Sequence, residues 1–215
     1  MHCRRSPETS PVVVIVHALR SFRAESESQP QGQHRRVCCL CRLKSAGRPC
    51  SYDANQNLTF DGVRTFVYDG DNRLVSESAS GTSTSLAYDP TGRLQTQATT
   101  AGGTTTTTYL YDGDALVAEY NGSPLLGRYA HGPGEDDPLV WYAGSTMTAA
   151  DANYLIADRQ GSVIGYSNAG TVAAGYGCDP YGYPASWGGS RFRYTGQIEI
   201  PEVQLYVSVL LGPPT

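Results

Sequence analysis

Two Asp-Gly-Asp triplets, Asp69-Gly70-Asp71 and Asp112-Gly113-Asp114, each set two carboxylates within three residues. Carboxylates that close could share a calcium ion. A calcium loop needs roughly six or more oxygens at ordered spacing, and each triplet brings only two side chains. Both sit among turn formers, so they read as turn residues. The run Glu135-Asp136-Asp137 reads as a solvated loop. Soft ligands gather at His34, Cys38, Cys39, Cys41 and Cys50, the set zinc would take. A second paired CxxC or HxxxH does not accompany them, and the adjacent Cys38 and Cys39 suit one tetrahedral ion poorly. Free or paired thiols are the better reading. Nucleophilic catalysis needs a base beside its nucleophile. After residue 50 the chain has one histidine, His131, in a Gly/Pro loop, and one cysteine, Cys178, and neither has a marked partner. Asp89-Pro90, Asp137-Pro138 and Asp179-Pro180 read as turns, not as cleavage points. The glycines punctuate hairpins and form no phosphate loop. The residues therefore point away from an enzyme, and no cofactor or metal is expected.

The elements that hold these residues are set by one recurring word. Tyr88-Asp-Pro-Thr-Gly-Arg-Leu94 reads as strand end, tight turn and strand start. Asp89 can accept from the turn backbone, Pro90 presets φ, and Gly92 supplies the left-handed residue that reverses the chain. Tyr52-Asp-Ala-Asn-Gln-Asn-Leu58 and Tyr68-Asp-Gly-Asp-Asn-Arg-Leu74 precede it, and Tyr111-Asp-Gly-Asp-Ala-Leu-Val117 follows in weaker form. The steps between the tyrosines are 16, 20 and 23 residues. A loose period of that size signals units that cannot bury a core alone. Asn72 fills the left-handed slot acceptably, while Gln56 is a poor fit, so the first turn is expected to be distorted.

Alternating β-branched and aromatic residues predict strands over 64–68, 74–80, 82–88 and 94–100. The threonine run 104–111 has high β propensity. Residues 115–120 and 124–129 predict a hairpin about Asn121-Gly122, and 139–142, 152–157 and 154–163 continue the pattern. Asp179-Pro180-Tyr181-Gly182 repeats the Asp-Pro-x-Gly turn.

The composition is split. Residues 1–50 hold nine of the sixteen Lys+Arg, three of the twenty Asp+Glu and five of the six Cys, which is +6 there against −10 for the rest. The acidic part argues against nucleic acid as a partner. Fifteen Tyr against four Phe suit a sheet whose aromatic hydroxyls stay bonded or wet. The longest apolar run, at 11–16, falls far short of the roughly 20 residues of a membrane span. Arg4-Arg5 and the apolar stretch 12–19 sketch a signal peptide, which His17 and Arg20 spoil.

The Tyr-Asp-x-x-Gly-Arg-Leu units resemble the YD repeats of the RHS family, shared with teneurins and bacterial insecticidal toxin components. The words Asp158-Arg-Gln-Gly-Ser-Val163, Asp179-Pro-Tyr-Gly182, Arg191-Phe-Arg-Tyr-Thr-Gly-Gln197 and Pro201-Glu202 with Leu205-Tyr206 resemble the RHS repeat-associated core. The resemblance covers about residues 52–206. It implies antiparallel hairpins coiled into a hollow shell that commonly encloses a C-terminal toxin, with partners in that cargo and a secretion apparatus. It also implies a secreted or surface-displayed product, often exported by type VI or related routes. The family's self-cleaving continuation is not matched by Val207-Ser-Val-Leu-Leu-Gly-Pro-Pro-Thr215, so the stretch reads as a terminal fragment of such a gene.

The expectation is thus an all-β chain of consecutive antiparallel hairpins forming part of a spiralling YD-repeat shell, behind a largely unstructured N-terminal segment. Residues 1–50 form a basic, Cys-rich leader, 51–206 the repeats and core, and 207–215 a divergent tail. The structural positions are Tyr52, Asp53, Tyr68, Asp69, Tyr88, Asp89, Gly92, Tyr111, Asp112, Asp179, Pro180 and Gly182, with the four tyrosines packing between hairpins. A second reading is a surface module for carbohydrate or a receptor, with Trp141 and Trp187 as stacking rings. A short arc is also expected to leave unpaired strand edges and open apolar ends.

Overall fold

Each turn of the repeated word hands the next strand a fixed starting leucine, and side chains alternate from there between two faces. The computed structural model describes residues 15–17 (as backbone), 50–134, 137–177 and 184–208. The strands are β1 (Ile15–His17), β2 (Ser51–Tyr52), β3 (Leu58–Phe60), β4 (Thr65–Tyr68), β5 (Leu74–Ala79), β6 (Thr82–Tyr88), β7 (Leu94–Thr100) and β8 (Thr104–Asp112). They continue as β9 (Ala115–Asn121), β10 (Leu125–His131), β11 (Pro138–Ala143), β12 (Ala152–Ala157), β13 (Val163–Asn168), β14 (Thr171–Gly175), β15 (Ile198–Ile200) and β16 (Leu205–Ser208). The helix among the described residues is one 3-10 turn, Tyr194–Gly196.

β2 to β14 form one thirteen-stranded sheet in which every strand pairs with the next in sequence. All pairings are antiparallel, so the sheet is an unbroken run of hairpins. The threonine run is a full strand, held on one side by Thr96↔Thr108 and Thr100↔Thr104 and on the other by Thr108↔Tyr120. A second sheet has the order β1-β16-β15. Its outer strand comes from the leader, which shows no strand alternation in sequence: Ile15 pairs with Ser208 and His17 with Tyr206.

One face of the large sheet is covered by residues 184–208. Leu74, Leu86, Leu94, Leu116 and Val163 share a core with Phe192, Ile198, Ile200, Val203 and Leu205. That cover narrows the open apolar face expected of an arc, although β2 and β14 remain sheet edges. On the opposite face Val67, Leu110 and Tyr154 are about half exposed, at 50%, 51% and 52%. The covered face is less apolar than a packed arc of tyrosine and aliphatic residues would be. Glu77, Thr84, Gln97 and Thr107 are all buried in it. Thr84 and Gln97 are hydrogen-bonded there, as buried polar groups require. Thr84 Oγ1 lies 3.1 Å from Thr99 Oγ1, and Tyr109 donates to Gln97 Oε1 at 2.9 Å.

Candidate functional site

The repeated aspartate is a backbone receptor. At Asp89 the amide donates to the Arg93 carbonyl at 2.9 Å and Gly92 N donates back to the Asp89 carbonyl at 2.9 Å. Asp89 Oδ1 accepts from Thr91 N at 2.9 Å, Arg93 N at 3.0 Å and Thr91 Oγ1 at 2.6 Å, while Oδ2 takes Arg93 Nε at 2.7 Å. Asp69 repeats the pattern with Asp71 N, Arg73 N and Arg73 Nε. Both oxygens are thus committed to the turn, and the calcium alternative at Asp69 loses its donors. Asp158, with Gln160, Gly161 and Ser162, makes the same turn again.

The first turn is not distorted, contrary to expectation. Gln56 adopts φ 68°, and Asp53 N→Asn57 O at 3.0 Å and Gln56 N→Asp53 O at 3.1 Å close the loop as in the other copies. Asp53 also accepts from Asn57 N and Asn57 Nδ2. These bonds outweigh the roughly 1–2 kcal/mol of left-handed strain at a residue with a Cβ. The unit at Asp112 does differ. Ala115 stands where the left-handed residue would be, so Gly113 (φ 56°) takes that role and a two-residue hairpin pairs Asp112 with Ala115.

In the Asp69 and Asp89 turns the arginine reaches the tyrosine of the next unit. Arg73 lies over the Tyr88 ring at 5.2 Å and Arg93 over the Tyr111 ring at 5.2 Å. Each guanidinium is held by its own aspartate, Asp69 at 2.7 Å and Asp89 at 2.7 Å. Tyr88 donates back to the Leu74 carbonyl at 2.8 Å, and Arg93 to the Gly113 carbonyl. Tyr68, Tyr88 and Tyr111 pack against the core, whereas Tyr52, on the edge strand, is 38% exposed.

These contacts set two kinds of pH dependence. Burial works to raise the Asp89 carboxyl, but hydrogen bonds from Thr91 and Arg93 prevail and lower it to about 2. The unfolded value is about 3.9. Its contribution is therefore complete above about pH 4 and lost as pH falls through 2. Urea midpoints measured from neutral pH downward should drop mainly below pH 4, and Asp89→Asn should shrink that drop. Burial, helped by the Asp53 charge, pushes the Tyr68 hydroxyl up to about 12.

A second polar cluster ties the cover to the sheet. Glu119 on β9, 2% exposed, pairs with Arg191 at 2.5 Å and accepts from the Tyr129 hydroxyl. Arg191 Nη1 donates to the Glu199 carbonyl at 3.1 Å, and Arg193 Nε lies 3.3 Å from Glu199 Oε2. Gly188 N donates to Glu199 Oε1 at 2.6 Å, and Arg193 stacks 3.6 Å from the Tyr176 ring centroid. Burial foremost raises the Glu199 carboxyl above the ordinary range, against the pull of Gly188, Arg193 and Arg191. Sequence reasoning missed this cluster. Its one signal is a carboxylate, Glu119, inside the otherwise apolar strand 115–120.

Trp141 stands edge-on to Tyr166 at 5.7 Å, and Trp187 is tilted against Tyr206 at 5.7 Å. Both are half-buried. His131 bonds the Leu116 carbonyl at 2.8 Å and packs edge-on to Phe192. Cys50 is disulfide-bonded. The remaining leader ligands, Glu135, Asp136, Cys178, Asp179, Pro180, Gly182 and the tail beyond 208 lie outside the described residues. Among the described residues no group of three or more His, Cys, Asp or Glu is placed to hold a metal. None of their helices is long and apolar enough to cross a membrane.

A family model of the RHS repeat matches residues 68–105, the stretch that holds the Asp69 and Asp89 turns and the Arg73–Tyr88 contact. Residues 68–105 are an RHS repeat. A curated relative, the tRNA3(Ser)-specific nuclease WapA of Bacillus spizizenii, is 29% identical over 169 residues. That match covers 73% of this chain and 7% of WapA, so the chain spans a small part of the relative. In the RHS repeat seen here every position has a physical task. Tyrosine packs, aspartate closes the turn, Gly or Asn reverses it, arginine covers the next tyrosine, and leucine is buried.

Proposed function

We propose that residues 51–208 are a wall segment of an RHS shell of the kind that encloses and delivers a C-terminal toxin in full-length relatives. The segment itself is non-catalytic and belongs to an exported or surface-displayed protein. The observation that carries this reading is the relay from Asp69–Arg73 to Tyr88 and from Asp89–Arg93 to Tyr111. At these two steps it joins one hairpin to the next by side chains as well as by the β ladder, as a continuous wall requires. The charged groups of the repeat are spent on that joining. WapA is by its printed name a nuclease, and this chain matches only 7% of it.

The test is a graft. Residues 51–208 replace the matching stretch of a full-length RHS shell, and the native protein is digested with trypsin. The enclosed C-terminal segment should stay uncut until the shell is unfolded in urea. Equal cutting before and after urea, in a graft that melts cooperatively, would falsify the wall reading.

A further inference from the structure

A cavity of about 270 Å³ opens where β9, β10 and β11 face residues 188–202. Glu119, Tyr129, Trp141, Arg191 and Glu199 line it, and Glu202 lies among its exposed residues. Three carboxylates thus meet one guanidinium. Glu119 is offset by Arg191, and Glu199 by Arg193, which stands outside the lining. Glu202 has no ion-pair partner among the described residues. Among the described residues the cavity keeps one uncompensated negative charge beside aromatic side chains.

That combination selects among ligand chemistries. A sugar needs several free donors and acceptors, and most polar groups lining the cavity are already paired. Tyr129 bonds Glu119, Arg191 bonds Glu119 and the Glu199 carbonyl, and Gly188 N bonds Glu199. An anion would meet excess negative charge. A cation gains from the leftover carboxylate and from aromatic rings, and gains more as water is excluded. The volume lies just under the roughly 300–1,000 Å³ of sites for drug-sized ligands, so the guest is a few heavy atoms across.

We infer that this cavity is a binding site for a small organic ammonium group, with Glu202 supplying the countercharge and Trp141 the ring. The inference is independent of the wall reading. A shell segment could carry such a site on its covered face, and so could a protein that encloses nothing.

The test is calorimetric titration of the full chain with tetramethylammonium chloride, against sodium chloride at equal ionic strength and against methyl α-glucoside. Saturable binding of tetramethylammonium alone is expected. Glu202→Gln, at an exposed position that leaves the core untouched, should weaken it at least about threefold, and Trp141→Phe should weaken it by a similar factor. Melting curves confirm that both variants fold. The proposal is overturned by absence of saturable binding, by binding that Glu202→Gln leaves unchanged, or by preference for the glucoside.

Discussion

Replacing Arg191 with alanine should destabilise the fold by about 3–5 kcal/mol, the cost of stranding a buried charge. Glu119 is 2% exposed and keeps only the Tyr129 hydroxyl as a donor once the guanidinium is gone. The same substitution removes the donor to the Glu199 carbonyl and uncovers the Tyr109 ring, over which Arg191 sits at 5.8 Å. The charge and its packing therefore fail together, and the failure is at the seam between the cover and the sheet. The double variant Glu119→Gln with Arg191→Met should recover more than half of the loss, because the stranded charge is gone while most of the volume stays. Urea unfolding with a constant slope would measure both. An Arg191→Ala loss below about 1 kcal/mol, the range of exposed pairs, would mean that water reaches Glu119. The residues 184–208 would then be a loose flap and not a fixed cover.

The hairpins were legible because two signals agreed. Strand alternation gave the faces, and Asp-x-x-Gly at 89–93 and Asp-x-x-Asn at 69–73 gave the reversals to the residue. Gln56 was misjudged because propensity ranks residues one at a time. The loop at 53–57 is closed by backbone bonds and by Asp53, and these override the poor local preference. The unit at Asp112 was legible only as a weaker copy. The left-handed role shifts from the fourth place, where Ala115 stands, to Gly113, and the reversal shortens to two residues. What covers the sheet was not legible. Alternation marks an inward face without naming its partner, so Gln97, Thr107 and Glu119 read as ordinary polar strand residues. The task of Gln97 is fixed by its bond from Tyr109, and that of Glu119 by Tyr129 and Arg191. Both tryptophans stand against tyrosines, Trp141 beside Tyr166 and Trp187 beside Tyr206. Trp141 also lines the cavity, in company that sequence spacing could not supply.

The leucine that ends each repeat should matter more than any other apolar residue of the wall. Leu74 and Leu94 are 0% exposed and Leu116 is 1% exposed, all within one core cluster. Leu58, in the first unit near the sheet edge, is only partly buried. Leu94→Ala should therefore cost about 2–5 kcal/mol through lost transfer energy and the cavity left behind. The same change at Leu58 should cost roughly half as much or less, since it removes less apolar surface from water. The gradient is the informative part. Sequence treats the leucines as copies, and the fold makes them unequal according to how far residues 184–208 reach over them. Chemical denaturation of the two variants, compared at equal slopes, reads that gradient directly. Equal losses at Leu58 and Leu94 would show that the turns, and not the leucine row under the cover, hold the hairpins side by side. Each hairpin would then be a separate ribbon, and the Arg–Tyr contacts would be decoration on a sheet stabilised by its backbone alone.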